Sequence, residues 1–195
     1  MGQKLRLRLM LPWLQTILSA SAIEKILRIY TIYEMATDEV YYFAFGSNMN
    51  ADRMTDRKVY FTERKCAKLS NYELKLHKVL RNGTAAANII ETKGHCVYGA
   101  LYRCTEKGLF ALDKYEGVRN KMYERKTVNV ELSDGSVVKA VTYIALKDKT
   151  DDNICKVGFD YLQHILKGRD ILPNDYVDWI EKTFTCWCVD APCKK

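Results

Sequence analysis

Tyr41-Tyr42-Phe43-Ala44-Phe45-Gly46-Ser47-Asn48-Met49 is the stretch on which the reading of this chain turns. It begins inside an apolar, aromatic run, Val40–Phe45, with strand character. It ends abruptly in Gly-Ser-Asn, a sequence built to turn. A strand that stops in this way leaves backbone N–H groups pointing outward with no ladder partner. A small anion such as a carboxylate is their natural occupant. What stands opposite that turn then determines the chemistry.

Downstream, Asn48–Arg57 reads as a short turn-helix, with Asn50 as N-cap and Arg53 and Met54 on its first turn. Tyr72–His77 alternates at period two within Cys66–Leu80, a strand with one wet face. Arg81-Asn82-Gly83 is a turn signal. Ala85–Ile90 suits a tightly packed strand, and Thr92-Lys93-Gly94 is expected to turn the chain again. Cys96–Arg103 reads as a further strand, with Gly99 marking a bulge or a close backbone approach. Thr105–Tyr115 changes to helical period, capped by Thr105 and stopped at Gly117. Tyr123–Leu132 and Val137–Leu146 form a hairpin across Ser133-Asp134-Gly135. Phe159–Lys167 and Pro173–Thr183 are short helices, and the tail from Phe184 reads as irregular. About five or six strands with short helices and no regular βαβ alternation argue against a doubly wound sheet. An α+β fold with a small, curved or closed sheet fits better.

At 195 residues, 48% hydrophobic and 28% charged, the chain is long enough for one domain plus an appendage. Its net charge of +7 is scattered rather than striped with aromatics, so nucleic acid is not an expected partner. Residues 1–34 stand apart: a basic start (Lys4, Arg6, Arg8), a broken apolar run and Ala20-x-Ala22, which has the pattern of a signal-peptidase site. Secretion with a signal peptide ending near Ala22, a mitochondrial presequence and a dispensable extension in a cytoplasmic protein are the three readings. The apolar run is too short for a membrane span. The resulting division is an N-terminal extension at 1–34, a domain at 40–183 and a cysteine-containing tail at 184–195. Of the seven cysteines, Cys186, Cys188 and Cys193 cluster without a spaced fourth ligand or a nearby His, so thiols or a tail disulfide are expected rather than a metal site.

The chain has no G-x-G-x-x-G, Walker loop, H-E-x-x-H or G-x-S-x-G. His77, His95 and His164 stand apart from any nucleophile. What remains is Leu112-Asp113-Lys114-Tyr115-Glu116-Gly117-Val118. Glu116 lies where a helix hands the chain back to the sheet. A carboxylate held there in an apolar pocket can exchange protons near neutral pH. An exposed acid at a turn is the plainer local reading.

Tyr42–Met49 resembles the Y-F-A-Y-G-S-N-L signature of the gamma-glutamylcyclotransferase family. Leu112–Val118 followed by Met122-Tyr123 is similar to that family's L-D-x-x-E-G-V…M-Y segment. Asp134-Gly135…Ala140-Val141-Thr142-Tyr143 and Tyr161…Gly168…Leu172-Pro173-x-x-Tyr176 are similar to its later motifs. Four motifs in order over 40–183 carry the resemblance. It implies an AIG2-like fold: a compact mixed β-barrel with helices packed round it. It implies cyclisation of γ-glutamyl amino acids to 5-oxoproline with release of the free amino acid, using no metal or cofactor. By position, Glu116 matches the catalytic acid–base. Tyr42, Phe43, Ala44, Phe45, Gly46 and Ser47 match the loop that holds the γ-glutamyl head, and Tyr161 matches a substrate-contacting tyrosine. Tyr143 is a further lining candidate. The partner implied is a small γ-glutamyl substrate, with no membrane and with a homodimer allowed for. Three features depart from the pattern: Phe45 replaces the usual Tyr, Lys121 stands where Gly often precedes Met-Tyr, and Val157–Asp160 replaces a proline-rich approach to Tyr161. They bear on substrate choice, although Gly46-Ser47-Asn48 favours the γ-glutamyl amino acid branch over γ-glutamylamines or glutathione. A non-catalytic binding module on the same fold is the alternative.

Overall fold

The computed structural model describes residue 19, residues 21–22 and 24–26, and residues 39–189. Most of the stretch that carries the targeting readings, and Cys193 with any tail disulfide it would form, lie outside the described residues. The chain divides into two compact units, residues 1–39 and 40–195, and apart from Glu39, the first residue of β1, the second holds the elements that follow.

β1 (Glu39–Ala44) carries the aromatic run and gives way to one turn of 3-10 helix at Ser47–Met49. Asn50 then caps α1 (Ala51–Asp56), its side chain accepting from Asp52 N–H at 3.0 Å. β2 (Phe61–Val79) and β3 (Ala85–Thr105) form one long antiparallel hairpin across the Arg81-Asn82-Gly83 turn. α2 (Glu106–Glu116) is capped by Thr105 and stopped by Gly117 at φ +66°. β4 (Tyr123–Glu131) and β5 (Val137–Ala145) are the second hairpin. The short β6 (Val157–Gly158), α3 (Phe159–Leu166), α4 (Asn174–Phe184) and β7 (Cys188–Val189) complete the unit.

The strands run in the order β1-β5-β4-β2-β3, and β1 also pairs with β3, so five strands close into a barrel. This is the mixed α+β barrel with flanking helices that the sequence implied. β1 lies parallel to β5, with Tyr42 opposite Val141, whereas the hairpins are antiparallel. β6 and β7 extend the sheet from β3.

Gly99 sits where β1 meets β3. A Cβ at this position would stand 2.4 Å from the Ala44 carbonyl oxygen and 2.7 Å from the Phe43 ring. The expected close backbone approach is therefore the seam of the barrel. Two other expectations fail. Thr92-Lys93-Gly94 does not reverse the chain. The ladder jumps from Ser70–Cys96 to Tyr72–Glu91, so four residues of β3 bulge out against one of β2. Gly94 (φ +85°) and Asn71 (φ +63°) supply the left-handed backbone, and Gly94 N–H donates to the Asn71 side chain at 3.2 Å. A glycine beside a polar pair thus marks a bulge in an unbroken strand. Nor is the chain after Phe184 irregular. Thr185–Trp187 makes one 3-10 turn, and β7 adds parallel to β6, with Cys188 opposite Val157. Two strand residues are too few to show a period in sequence. Among the described residues no helix is long and apolar enough to cross a membrane.

Gly99→Ala is expected to cost about 1–3 kcal/mol, because the nearest obstacle is backbone and cannot swing away. In a thermal melt followed by circular dichroism, that appears as a midpoint lower by roughly 2–12 °C.

Candidate active site

The turn after β1 is tied to the barrel through its carbonyls. The Tyr102 hydroxyl donates to Asn48 O at 2.9 Å and to Met49 O at 3.1 Å. Arg64 reaches across from β2: Nη2 donates to Met49 O at 2.6 Å and Nε to the Tyr102 oxygen at 3.1 Å, while Asp170 binds the same guanidinium. With its carbonyls held from behind, the turn presents its other side to a pocket.

That pocket is lined by Tyr42, Phe45, Gly46, Ser47, Asn48, Ala87, Glu116, Tyr123, Tyr143 and Tyr161. It is a small pocket walled by Tyr, Ser, Asn and Glu side chains, which suits a small polar group. Gly46 is there for space rather than for backbone freedom. Its φ is −119°, and a Cβ would stand 3.1 Å from the Ala87 side chain and 3.2 Å from the Tyr161 hydroxyl.

Of the residues singled out from sequence, Tyr42, Phe45, Gly46, Ser47, Glu116, Tyr161 and Tyr143 meet in this one pocket. Phe43 and Ala44 do not line it. Both are buried in the core, and the Phe43 ring packs against Gly99. Side chains alternate along a strand, so Tyr42 and Phe43 cannot share a face.

The surroundings of Glu116 match neither local alternative, the apolar pocket or the exposed acid at a turn. Arg57 Nη1 donates to Glu116 Oε1 at 2.9 Å, and Asn48 Nδ2 donates to the same oxygen at 3.1 Å. Arg57 Nη1 also donates to Asn48 Oδ1 at 2.8 Å, and Asn48 Nδ2 to the Tyr42 hydroxyl at 2.8 Å. The Arg57 guanidinium lies over the Tyr115 ring, 4.8 Å from its centroid. Both members of the ion pair are mostly shielded, with side chains 13% and 15% exposed. One oxygen is therefore fixed. Among the described residues no donor reaches Oε2 of Glu116, which leaves that oxygen for a ligand.

Four tyrosines line the pocket, and all four phenols are held protonated. Burial, then the Glu116 charge, keeps Tyr42 well above the ordinary phenol range. Burial does the same for Tyr123 and pushes Tyr161 up to about 12. Tyr143 is raised by burial and by its hydrogen bond to Asp113. They serve as hydrogen-bonding groups rather than charges. Ala87 N–H donates to the Tyr161 oxygen at 2.8 Å, which spends that lone pair and aims the ring.

Sequence reasoning missed Asn48, Arg57, Ala87 and Tyr123 as site residues. For Arg57 a signal existed. Asn50 caps α1, and the chain leaves that helix at Arg57, one turn after Arg53. Asn48 and Tyr123 lay inside quoted motifs without an assigned task. Ala87 acts through its backbone and has no local signature.

Residues 96–180 match the model of the AIG2-like family. A Bos taurus protein named gamma-glutamylcyclotransferase is 29% identical over 152 residues, which span 69% of this chain and 80% of that protein. A solved structure titled gamma-glutamyl cyclotransferase superposes with a TM-score of 0.65 at 22% identity, over 73% of this chain and 86% of that one. YkqA from Bacillus subtilis superposes with a TM-score of 0.69 at 25% identity, covering 82% of this chain and 59% of its own length. Residues 96–180 are thus similar in sequence to the AIG2-like family, and the chain shares the fold of the solved gamma-glutamyl cyclotransferase structure.

Proposed function

We propose that the pocket cyclises the γ-glutamyl group of γ-glutamyl amino acids to 5-oxoproline and releases the free amino acid. The observation that carries this reading is the Glu116 carboxylate facing the Gly46–Asn48 turn in one small pocket, with Oε1 fixed by Arg57 and Asn48 and Oε2 open. The name shared by curated relatives of this chain supports the same reading.

In this mechanism the backbone N–H groups of the turn receive the glutamyl head. Oε2 of Glu116 takes a proton from the substrate's α-amine. The amine nitrogen attacks the γ-carbonyl carbon of the same molecule and closes a five-membered ring. The bond from that carbon to the leaving nitrogen breaks, and Glu116 returns the proton to that nitrogen. The attack is intramolecular, so the protein's task is to hold the substrate folded and to move one proton between two nitrogens. The neutral phenols of Tyr42, Tyr123 and Tyr161 wall the ring-closing space without adding charge. Arg57 is a positioning residue. It touches the carboxylate rather than the substrate, and it holds Oε1 so that Oε2 stays free for the substrate.

Glu116→Gln keeps an acceptor for Arg57 and Asn48 and removes the base. Release of 5-oxoproline from γ-glutamyl-alanine is expected to fall ~10²–10⁴-fold with the melting temperature nearly unchanged. Full activity in that variant would refute the role of Glu116. A wild-type protein that releases no 5-oxoproline from γ-glutamyl dipeptides, glutathione or γ-glutamylamines would overturn the activity itself. For Arg57→Gln, steady-state kinetics on the same substrate should show kcat reduced roughly 10-fold or more with KM little changed. A rise in KM alone would instead place Arg57 in substrate binding.

A further inference from the structure

Asn50 belongs to two elements at once. Its backbone N–H closes the 3-10 turn of the pocket by donating to Ser47 O at 3.3 Å, and its side chain caps α1. The cap uses one half of the amide: Oδ1 accepts from Asp52 N–H at 3.0 Å. The other half is therefore Nδ2, which can only donate. It lies 2.9 Å from Nδ1 of His164, on α3. That nitrogen accepts only when it carries a lone pair, so the imidazole is neutral with its proton on Nε2. The backbone bond fixes the amide, and the amide fixes the tautomer.

His164 is not among the residues that line the pocket. It is tied to the site by hydrogen bonds. Asn50 starts α1, six residues long, and Arg57 at the other end holds Glu116 Oε1 and Asn48 Oδ1. A helix this short has little stability of its own, so its cap bears on where its far end lies. Tyr161 stands one turn before His164 on α3 and does line the pocket. One helix thus supplies a pocket wall and, a turn later, the anchor of the helix whose end holds the carboxylate. We propose that His164 is a positioning residue for Glu116, holding the Asn50 cap through a neutral Nδ1 and, through it, the Arg57 contact that leaves Oε2 free. This inference rests on the cyclotransferase reading and names an acid-sensitive control of that site.

A proton on Nδ1 would set two donors face to face, so the bond to Asn50 is lost on acidification. The charged groups that face His164 are Arg53, Asp56 and Arg57, in α1 and at its end, and Asp160 of its own helix. Burial first, and the Arg53 charge second, hold the imidazole below its ordinary value. The neutral form therefore persists through neutral pH, and the contact fails only below the usual histidine range.

The test follows 5-oxoproline release from γ-glutamyl-alanine by the full chain, His164→Leu and His164→Asn between about pH 8 and about pH 5. Leu removes the acceptor, whereas Asn offers Oδ1 near the place of Nδ1 and does not titrate. At neutral pH His164→Leu is expected to lose kcat ~2–30-fold, the range of a lost helix cap, with KM little changed. His164→Asn should recover most of that loss, and its kcat should persist to lower pH than that of the wild type. Acid losses that both proteins share belong to other groups. A folded His164→Leu variant with wild-type kcat, or one altered in KM alone, overturns the proposal. So does a His164→Asn variant that recovers nothing or keeps the wild-type pH profile, and that profile decides the matter if His164→Leu does not fold. Nitrogen NMR of the wild-type imidazole reads the contact without turnover. A protonated Nε2 and a bare Nδ1 are expected at neutral pH, and the reverse tautomer overturns the proposal. A wild type with the expected tautomer but inactive on the wider panel removes the cyclotransferase reading, and the positioning role with it, while the Asn50 contact stands.

Discussion

The closure of β1 onto β3 at Gly99 is the constraint on which the rest of this domain depends. Two backbones approach there so closely that a single methyl group would collide with the Ala44 carbonyl. Without that contact β1 would pair with β5 alone, and the five strands would form an open sheet with two unpaired edges. With it, β1 is held on both sides, and its last residues can only leave the sheet at the rim. The aromatic run therefore delivers Gly46-Ser47-Asn48 to one place rather than to a range of places.

Rigidity of the rim follows from how the carbonyls of the turn are bound. Tyr102 and Arg64 bind Asn48 O and Met49 O from inside and beside the barrel. Glu116 comes to the same rim from a different direction. α2 begins at a Thr105 cap directly after β3 and ends at Gly117 in the left-handed conformation. Cap, helix length and stop together set where its last residue lies. Two elements far apart in sequence thus converge because each is fixed at its own end, and Asn48 joins them by bonding Tyr42 and Glu116 with one amide nitrogen.

The electrostatics of the rim are uneven. Burial keeps the phenols neutral, so the charges at the rim are those of Glu116 and its partner Arg57. One cation and the carboxylate complete each other, and they occupy one carboxylate oxygen only.

Much of the fold was written locally. The caps at Asn50 and Thr105, the left-handed stop at Gly117, the Asp-Gly hairpin and the close approach at Gly99 all follow from residue chemistry within a few positions, and each appears in the structure. Glu116, the Gly46 turn, Tyr42 and Tyr161, singled out from motifs that resemble a known family's, line one pocket. Tertiary structure alone settled the remainder. Gly94 could mark a turn or a bulge, and only pairing along the whole of β2 made it a bulge. β7 exists because β6 was there to receive it. Phe43 and Ala44 share the motif with Tyr42 but are buried in the core, away from the pocket. The partners of Glu116 were beyond the reach of pattern, since Arg57 lies 59 residues away along the chain. Local sequence can specify a helix end or a turn. The charge that will face it depends on how the barrel closes.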